Sequence, residues 1–372
     1  MKIIMAIKRL EDMAGGAERV FLQIAESLSQ NGYDITLLSF DRKDAESFYP
    51  APNNLEWIKL GIGDSSKPAK SKETLGRMLS LRTQIKKTKP DLIIAFQHSM
   101  FIPLCLAKLG IQIPVIASEH IVPMHYKSKP LEYALLTLTG LMCKKITVLS
   151  DEIIKLYPKI LQRRMVAIAN PVITTEQKAD LAGKNGSPNT LLSVGRLDPQ
   201  KDQKTLISAF AQIAEEFPDW NLRIIGEGHL RPKLEQQIKD LRLSSRISLP
   251  GISKDIQSEY LKAQAFVLAS TYESFGLATA EAMSTGLPVI GFADCEGTNK
   301  LINHNKTGIL VDPKNRENRI EALAKELSSI LSNPEKRYLF GKNGKEWIAE
   351  KFNSEKITTE WVEIIQSIDK SA

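Results

Sequence analysis

Short runs of Ile, Val and Leu alternate along the chain with longer segments in which apolar residues recur at helical spacing. The short runs predict strands, because a strand in a helix-covered parallel sheet is apolar on both faces. The longer segments predict helices; in the first, Val20, Phe21, Ile24 and Leu28 share one face and Gly32 ends it. The predicted strand segments are KIIMAI, DITLLSF, LEWIKL, DLIIAFQ, PVIASEH, KITVLS, MVAIAN, TLLSVGR, NLRIIG, RISLPG, AFVLAS, LPVIGF and TGILV.

This alternation of strands and helices lapses once, over residues 171–189, which hold two prolines, two glycines and many polar residues. We interpret that stretch as an interdomain linker. Strand–helix alternation on both sides of it predicts two doubly wound α/β domains, over residues 1–170 and 190–351, with a closing helical segment over 352–372. A chain of 372 residues also exceeds what one core usually supports. Two such sheets facing each other would hold a ligand at the carboxyl ends of their strands.

The composition is that of an ordinary globular protein, with 42% hydrophobic and 25% charged residues. No run of about 18 apolar residues appears, which predicts a chain without a membrane span. The N-terminal MKIIMAIKRL is too short an apolar run for a signal peptide. Cys105, Cys143 and Cys295 show no CxxC spacing, which argues against a disulfide framework and against zinc. We therefore expect a cytoplasmic protein with no bound metal.

Positive charge is concentrated in the first half of the chain. The net charge is +7, and residues 1–170 carry 24 Lys and Arg against 16 Asp and Glu. Between Lys67 and Lys89, eight basic residues accompany one acid, Glu73. This segment is either a solvated helix face or a surface attracted to an anionic membrane or a phosphate-bearing acceptor. Nucleic acid is not an expected partner, because aromatic residues make up 6% and do not interleave with the basic ones.

Glycines and cations follow several of the predicted strands. Gly15 and Gly16 open the first helix, where backbone amides can approach an anion. A simple turn explains that pair equally well, and the absence of GxGxxG disfavours a nicotinamide enzyme. Arg196 ends a predicted strand and Lys201 lies five residues on, so the two could clamp a diphosphate. Taken alone, two surface cations are the commoner explanation.

Two carboxylates flank a Phe-Gly pair in TYESFGLATAEAMSTG, which spans residues 271–286. Glu273 follows a predicted strand, and Glu281 lies one turn into a helix that we expect to begin near Phe275–Leu277. A carboxylate can accept hydrogen bonds from both hydroxyls of a vicinal diol. The pattern therefore suits a ribose and a hexose. A partly exposed helix carboxylate is the alternative for either residue by itself.

Three stretches together, GGAE near the N-terminus, SVGRLDPQK and ESFGLATAE, resemble glycosyltransferase family 4. The resemblance covers almost the whole chain and implies the GT-B fold, with two Rossmann-like domains across a cleft. It implies an N-terminal acceptor-binding domain and a C-terminal domain that holds the nucleotide sugar. It also implies that the last helix crosses back to the first domain.

The resemblance assigns roles to the residues of the second domain. Arg196 and Lys201 would hold the diphosphate and offset the charge that develops as it leaves. Glu281 would bind the ribose hydroxyls, and Glu273 would bind the transferred sugar. The backbone residues that would assist Glu273 are Phe275, Gly276 and Leu277.

Two further positions come from the first domain by the same resemblance. Gly16, with Gly15, would approach the diphosphate, and His120 matches a position where such enzymes often carry a histidine near the sugar; a strand-end histidine is more often structural. One stretch departs from the family pattern: CEGTNKLI carries Asn299 and Lys300 where relatives often show a Gly-Gly or Gly-Pro turn with an acid.

The family retains anomeric configuration and requires no metal and no cofactor, the donor being a substrate. The run GFADCEGTNKLI, residues 291–302, looks like a branch of relatives that use UDP-hexoses, so the resemblance implies hexosyl or N-acetylhexosaminyl transfer from a UDP-sugar to a glycan. The expected acceptor is a polyprenyl-diphosphate-linked saccharide at the inner face of the membrane, in surface polysaccharide synthesis. The alternatives are a nucleotide-sugar epimerase and a non-catalytic sugar-nucleotide-binding protein on the same fold.

Overall fold

The computed structural model describes residues 1–11, 15–63, 71–183, 188–314 and 317–369. The chain divides into two compact units. The first unit comprises Met1–Pro171 together with Ser354–Ala372, and the second comprises Val172–Asn353. Each predicted strand segment forms a strand, which confirms the α/β class.

The first unit is built on a seven-stranded sheet whose order is β3-β2-β1-β4-β5-β6-β7. Its strands are β1 (Lys2–Ala6), β2 (Asp34–Ser39), β3 (Glu56–Lys59), β4 (Leu92–Phe96), β5 (Val115–Ser118), β6 (Lys145–Val148) and β7 (Met165–Ala167). Its helices are α1 (Gly16–Gln30), α2 (Ser71–Thr88), α3 (His98–Ala107), α4 (Pro130–Gly140), α5 (Asp151–Leu156), α6 (Lys159–Gln162) and α14 (Ser354–Asp369), with a 3₁₀ turn over Pro123–Tyr126.

The second unit has a six-stranded sheet with the order β10-β9-β8-β11-β12-β13. Its strands are β8 (Asn189–Val194), β9 (Trp220–Ile225), β10 (Ile247–Gly251), β11 (Ala265–Leu268), β12 (Val289–Phe292) and β13 (Gly308–Val311). Its helices are α7 (Gln203–Ile213), α8 (Arg231–Asp240), α9 (Ile256–Lys262), α10 (Leu277–Ser284), α11 (Thr298–Leu301), α12 (Arg319–Leu331) and α13 (Pro334–Lys351).

Both sheets pair in parallel, and each reverses its strand order once. The reversal lies between β1 and β4 in the first unit and between β8 and β11 in the second. The two loops that leave such a pair of strands turn in opposite directions, so a crevice opens at their carboxyl ends. The residues of β4 and β11 are buried on both faces, as their unbroken apolar sequences predict.

The last helix, α14, belongs to the first unit although the chain reaches it through the second. It packs against α1, and Trp361 on it is 2% exposed. The Trp361 ring stacks on Phe96 at the end of β4, with centroids 6.1 Å apart and planes 14° apart. This helix therefore covers the middle of the first sheet, which confirms that it crosses back.

Part of the predicted linker is integrated into the second unit. The Val172 amide donates to the Phe352 carbonyl, the Ala179 amide to Thr285, and the Asp180 amide to Leu261. This polar, glycine-containing stretch is irregular backbone that hydrogen bonds hold to the second unit. Composition alone does not distinguish such a segment from a free linker. Residues 184–187 of the predicted linker lie outside the described residues.

The three cysteines are buried free thiols, and Sγ of Cys105 lies 3.6 Å from Sγ of Cys143. In the part of the chain that the structure describes, helices of membrane-spanning length and hydropathy do not occur.

Removing the Trp361 side chain should destabilise the first unit. We expect Trp361→Ala to lower the free energy of opening of β4 by about 3–5 kcal/mol, because the substitution leaves a cavity against Phe96. Native-state hydrogen exchange at the amides of β4 measures this change. Glu363→Ala on the exposed side of the same helix is the matched control and should change it by less than about 0.5 kcal/mol. Equal effects from the two variants would contradict the packing role of Trp361.

Candidate functional site

The loop after β8 is fixed by backbone contact with the loop after β9. The Gly195 amide donates to the Ile225 carbonyl, and the Leu197 amide donates to the Glu227 carbonyl. Gly226 has φ +142°, and a Cβ there would lie 2.1 Å from the Gly195 carbonyl oxygen. A residue with a side chain could not adopt this conformation at this distance. The glycines of GEG thus let the two strand ends lie against each other and set the path of Arg196.

Lys201 and Glu273 form a buried ion pair across the strand-order reversal between β8 and β11. The Lys201 Nζ lies 2.5 Å from Oε1 of Glu273, and their side chains are 15% and 10% exposed. The Ser270 hydroxyl donates to the same Oε1 at 2.6 Å. Within the described ranges, both hydrogen bonds to this carboxylate end on Oε1. Oε2 is therefore available to a hydroxyl of a ligand.

Arg196 stands at the edge of this pair with its side chain 68% exposed. Its guanidinium lies 3.0 Å from Asp198 and donates to the Gln200 side chain at 3.3 Å. The Asp198 side chain is 17% exposed, but the guanidinium itself is open to solvent, so the pair contributes little stability. Its planar fork is free to turn toward an incoming phosphate at small cost.

The helix that carries Glu281 begins at Leu277, as predicted. Gly276 precedes it with φ +87°, a left-handed conformation that favours glycine, and a Cβ there would lie 3.1 Å from Thr298 Oγ1. The amides of Leu277 and Ala278 precede the first internal hydrogen bond of the helix, which the Thr279 amide donates to the Gly276 carbonyl, so this end attracts anionic or hydroxyl oxygens. Glu281 lies further along α10 and its Oε2 accepts a hydrogen bond of 3.0 Å from the Tyr260 hydroxyl.

The stretch that departs from the family pattern, CEGTNKLI at residues 295–302, contains the end of a loop and the short helix α11. The Glu273 amide donates to the Glu296 carbonyl at 3.0 Å, so this loop contacts the backbone beside the ion pair. Asn299 donates to the Ala293 carbonyl at 2.9 Å, and Lys300 is exposed. Asn299 therefore has a local structural role.

Cys295 lies in the same loop and is 1% exposed. Burial, together with the negative charge of Glu273, raises the pKa of Cys295 to about 12. The thiol stays protonated at neutral pH and is not a nucleophile there.

His120 lies in the first unit, directly after β5, and is 9% exposed. Its ring stacks on Phe96 with centroids 5.0 Å apart, and its Nε2 lies 2.9 Å from the Ser118 hydroxyl. Burial lowers the pKa of His120 to about 4. The imidazole is neutral at pH 7, so it can donate one hydrogen bond and accept another, but it adds no positive charge that would attract a diphosphate.

Gly15 and Gly16 also lie in the first unit, at the start of α1. Gly15 precedes the helix and Gly16 is its exposed first residue. The carboxylate of Glu18, which is buried in the first helical turn, packs against Gly15. An anion that approaches these amides would meet that negative charge, so the role of Gly15 and Gly16 in holding a diphosphate stays a prediction.

The structure thus brings most of the predicted residues together in the second unit. Arg196 and Lys201 follow β8, and Glu273 follows β11, with α10 directly beyond it. The members that lie in the first unit are Gly15, Gly16 and His120. Clusters of His, Cys, Asp and Glu suited to a metal ion do not occur among the described residues.

Besides the Lys201–Glu273 pair, three further contacts in the second unit were not predicted from the sequence. Ser270 donates to Glu273, Tyr260 donates to Glu281, and Nη1 of Arg319 donates to both carboxylate oxygens of Asp294 at 2.9 and 2.8 Å. Ser270 closes a predicted strand, which is a weak signal. Tyr260 and Arg319 lie on other helices, and no spacing in the sequence links them to the site.

Two family models match consecutive parts of this chain. "Glycosyltransferase Family 4" matches residues 14–176, and "Glycosyl transferases group 1" matches residues 174–347. The chain is 26% identical over 370 residues to a Campylobacter jejuni protein, with 99% of each chain covered. That protein is named GalNAc-alpha-(1->4)-GalNAc-alpha-(1->3)-diNAcBac-PP-undecaprenol alpha-1,4-N-acetyl-D-galactosaminyltransferase.

Solved structures show the same fold at low sequence identity. Sucrose-phosphate synthase from Thermosynechococcus elongatus superposes with a TM-score of 0.87 at 19% identity, covering 100% of both chains. HepE from Anabaena, solved in complex with UDP and glucose, superposes with a TM-score of 0.79 at 19% identity, covering 99% of this chain and 100% of that one. At such identity these likenesses establish the fold alone.

Protonation of His120 should oppose folding in a defined pH window. The pKa of His120 is about 4 in the folded protein, against an ordinary value of 6.5 for the unfolded chain. Between these two pH values the unfolded chain therefore binds more protons than the folded protein. Stability is therefore expected to rise with pH from about 4 to 6.5, and His120→Asn should flatten that rise. The measurement is urea unfolding across this pH range, with NMR titration of the His120 ring. Ser118→Ala should leave the pKa lowered, because burial is its cause; a ring that titrates near 6.5 would contradict this account.

Proposed function

The chain belongs to glycosyltransferase family 4 and is a glycosyltransferase of the GT-B fold, and we propose that it transfers a hexose or N-acetylhexosamine from a UDP-sugar to a glycan with retention of configuration. The observation that carries this proposal is the arrangement at the strand-order reversal of the second unit. There the buried pair of Lys201 and Glu273, the exposed Arg196 and the N-terminus of α10 come from loops that leave β8 and β11.

The charges of this site suit a sugar diphosphate. In the proposed complex, Arg196 turns from Asp198 to the diphosphate and Lys201 shares its ammonium between Glu273 and a phosphate oxygen. Oε2 of Glu273 accepts a hydroxyl of the sugar. Both cations then face the negative charge that develops on the leaving diphosphate, which lowers the barrier to departure.

UDP is the donor nucleotide that the relatives support. HepE, which shares the fold, is solved with UDP and glucose. Glu281 on α10 binds the ribose diol in this proposal, held in orientation by the Tyr260 hydroxyl. Glu273 is not assigned as a nucleophile in this proposal. The acceptor hydroxyl attacks from the face on which the diphosphate departs, and the diphosphate takes its proton, so the anomeric configuration is retained.

The proposed acceptor is a saccharide on a polyprenyl diphosphate, as the name of the Campylobacter jejuni relative indicates for that protein. It would bind the first unit, where the excess positive charge lies. The alternative is a nucleotide-sugar epimerase or a non-catalytic sugar-nucleotide-binding protein on this fold. No specific contact among the described residues supports it.

Helix α2 supplies a surface for peripheral contact with an anionic membrane. It carries most of the described part of the basic segment Lys67–Lys89; Lys67 and Lys70 lie outside the described residues. Leu75 and Leu79 on it are 58% and 57% exposed. Its acid, Glu73, lies 3.4 Å from Arg77. The exposed basic residues of this surface are Lys72, Lys86, Lys87 and, directly after the helix, Lys89.

A surface of this kind differs from an ordinary solvated helix face, which carries both signs of charge. Exposed leucines among lysines can enter the headgroup region while the ammonium groups pair with anionic lipid. The exposed Leu131 and Leu138 of α4 add apolar area on the same unit. This contact would bring the enzyme to a lipid-linked acceptor.

Nucleotide binding tests the donor site. We expect UDP to bind the wild type more tightly than GDP or ADP, and Glu281→Ala to weaken UDP binding by about 1–3 kcal/mol because ribose hydroxyls lose their acceptor. Isothermal titration calorimetry measures both. Glu335→Ala, an exposed glutamate in the first turn of α13, is the control and should bind UDP normally. Absence of nucleotide binding in the wild type would contradict the proposed donor site.

Vesicle binding tests the membrane surface. Lys86→Gln with Lys87→Gln should weaken binding to phosphatidylglycerol-rich vesicles by about 2 kcal/mol, or about thirtyfold, since each lysine near an anionic surface contributes about 1 kcal/mol. Flotation at low and high salt measures this, and salt should reduce wild-type binding. Lys233→Gln with Lys239→Gln, exposed on α8, is the matched control. Equal binding of the wild type to neutral phosphatidylcholine vesicles would contradict the role of the lysines.

A further inference from the structure

Arg319 is a buried arginine whose side chain contacts three segments of the candidate site. It is the first residue of α12, and its side chain is 8% exposed. Its guanidinium lies 3.5 Å from the centroid of the Phe292 ring, at the end of β12. A buried guanidinium costs several kcal/mol in lost hydration unless its donors are paired. Where these donors go therefore shows what the residue holds in place.

One set of donors reaches the end of β11. Nη2 of Arg319 lies 3.4 Å from the carbonyl oxygens of both Ala269 and Ser270. The Ser270 hydroxyl in turn donates to Oε1 of Glu273 at 2.6 Å. Arg319 is thus separated from the Glu273 carboxylate by a single residue.

A second set reaches the loop after β12. Nη1 of Arg319 donates to both carboxylate oxygens of Asp294, at 2.9 and 2.8 Å. Two residues further along, the Glu296 carbonyl accepts the amide hydrogen of Glu273. The same guanidinium therefore fixes both backbone segments between which Glu273 lies.

The third contact reaches the residue after Lys201. Nε of Arg319 lies 3.9 Å from Oδ2 of Asp202, an electrostatic contact too long for a hydrogen bond, and this Nε has no hydrogen-bond partner among the described residues. Asp202 has φ +46°, a left-handed conformation, and its side chain accepts the Thr205 amide at the start of α7. A residue in that conformation persists where its surroundings hold it. The direction in which Lys201 leaves the backbone depends on this turn.

We propose that Arg319 is a positioning residue for sugar-nucleotide transfer: it sets the geometry of the Lys201–Glu273 pair by joining the ends of β11 and β12 to the start of α7. The inference rests on the proposed function for its chemistry, while its structural part stands on the contacts alone. A lysine could not replace it, because a single ammonium lacks the planar fork that bonds Asp294 and two carbonyls together.

The chain offers a matched control in Arg337 on α13. That arginine is 6% exposed, donates to the Ile330 and Leu331 carbonyls at 3.1 and 2.8 Å, and lies 5.1 Å from the Trp220 ring centroid. It shares the burial, the carbonyl bonds and the aromatic contact of Arg319, but it joins α12 to α13. Losing either arginine should destabilise the fold, and only the loss of Arg319 should disturb the site.

The experiment compares Arg319→Gln, Arg319→Lys and Arg337→Gln in the full chain at a temperature where all remain folded. Hydrogen–deuterium exchange of the peptides over residues 268–276 and 198–205 reports on the site without any substrate. The kcat and KM for the UDP-hexose or UDP-N-acetylhexosamine that the wild type turns over fastest report on the reaction. A displacement of about 1 Å in a reacting group is expected to cost about a hundredfold in rate.

We expect Arg319→Gln and Arg319→Lys to speed exchange in both peptides and to lower kcat by about tenfold to a hundredfold, with KM changed by less than about threefold. Arg337→Gln should leave both readouts at wild-type values. Wild-type exchange and kcat in Arg319→Gln would overturn the proposal, and so would full rescue by lysine or equal losses in Arg337→Gln. A wild type that transfers no hexose or N-acetylhexosamine from any UDP-sugar would refute the proposed function, and the exchange comparison would still decide the role of Arg319.

Discussion

The buried ion pair of Lys201 and Glu273, 2.5 Å apart in the loops that follow β8 and β11, is the contact on which the geometry of the candidate site depends. Removing Lys201 and Glu273 from water is costly, and their attraction offsets that cost only when further hydrogen bonds support the pair. Ser270 supplies one of these, and the Glu296 carbonyl fixes the Glu273 backbone. The surrounding loops are constrained, because a shift of either loop would separate Lys201 from Glu273 and leave a buried charge unpaired.

The parallel sheet determines where such a pair can form. A strand order that reverses between β8 and β11 sends neighbouring loops in opposite directions and leaves their carboxyl ends uncovered by connections. The glycines at 226 and 276 then allow close backbone approach on either side of that opening. A charged pair placed elsewhere on the sheet would be covered by a crossover helix and closed to a ligand.

Sequence patterns were sufficient for the strands, since apolar runs such as LIIAF in β4 match the burial of a covered parallel sheet. They also placed Glu273 at a strand end and the start of α10 at Leu277. The pairing of Lys201 with Glu273 could not be predicted, because it joins loops 72 residues apart. Arg319 was missed for the same reason, and the hydrogen bonds of residues 172–180 cannot be inferred from a polar composition.

The position of α14 imposes an order on how the protein is made. The first unit ends at Pro171, but its closing helix begins at Ser354, after the whole second unit has been synthesised. At about 5–20 residues per second, the ribosome needs roughly 10–40 seconds for that interval. Throughout it, the Phe96 ring and the surface of α1 lack the helix that covers them. The nascent first unit is thus a candidate for chaperone binding until α14 emerges from the ribosome.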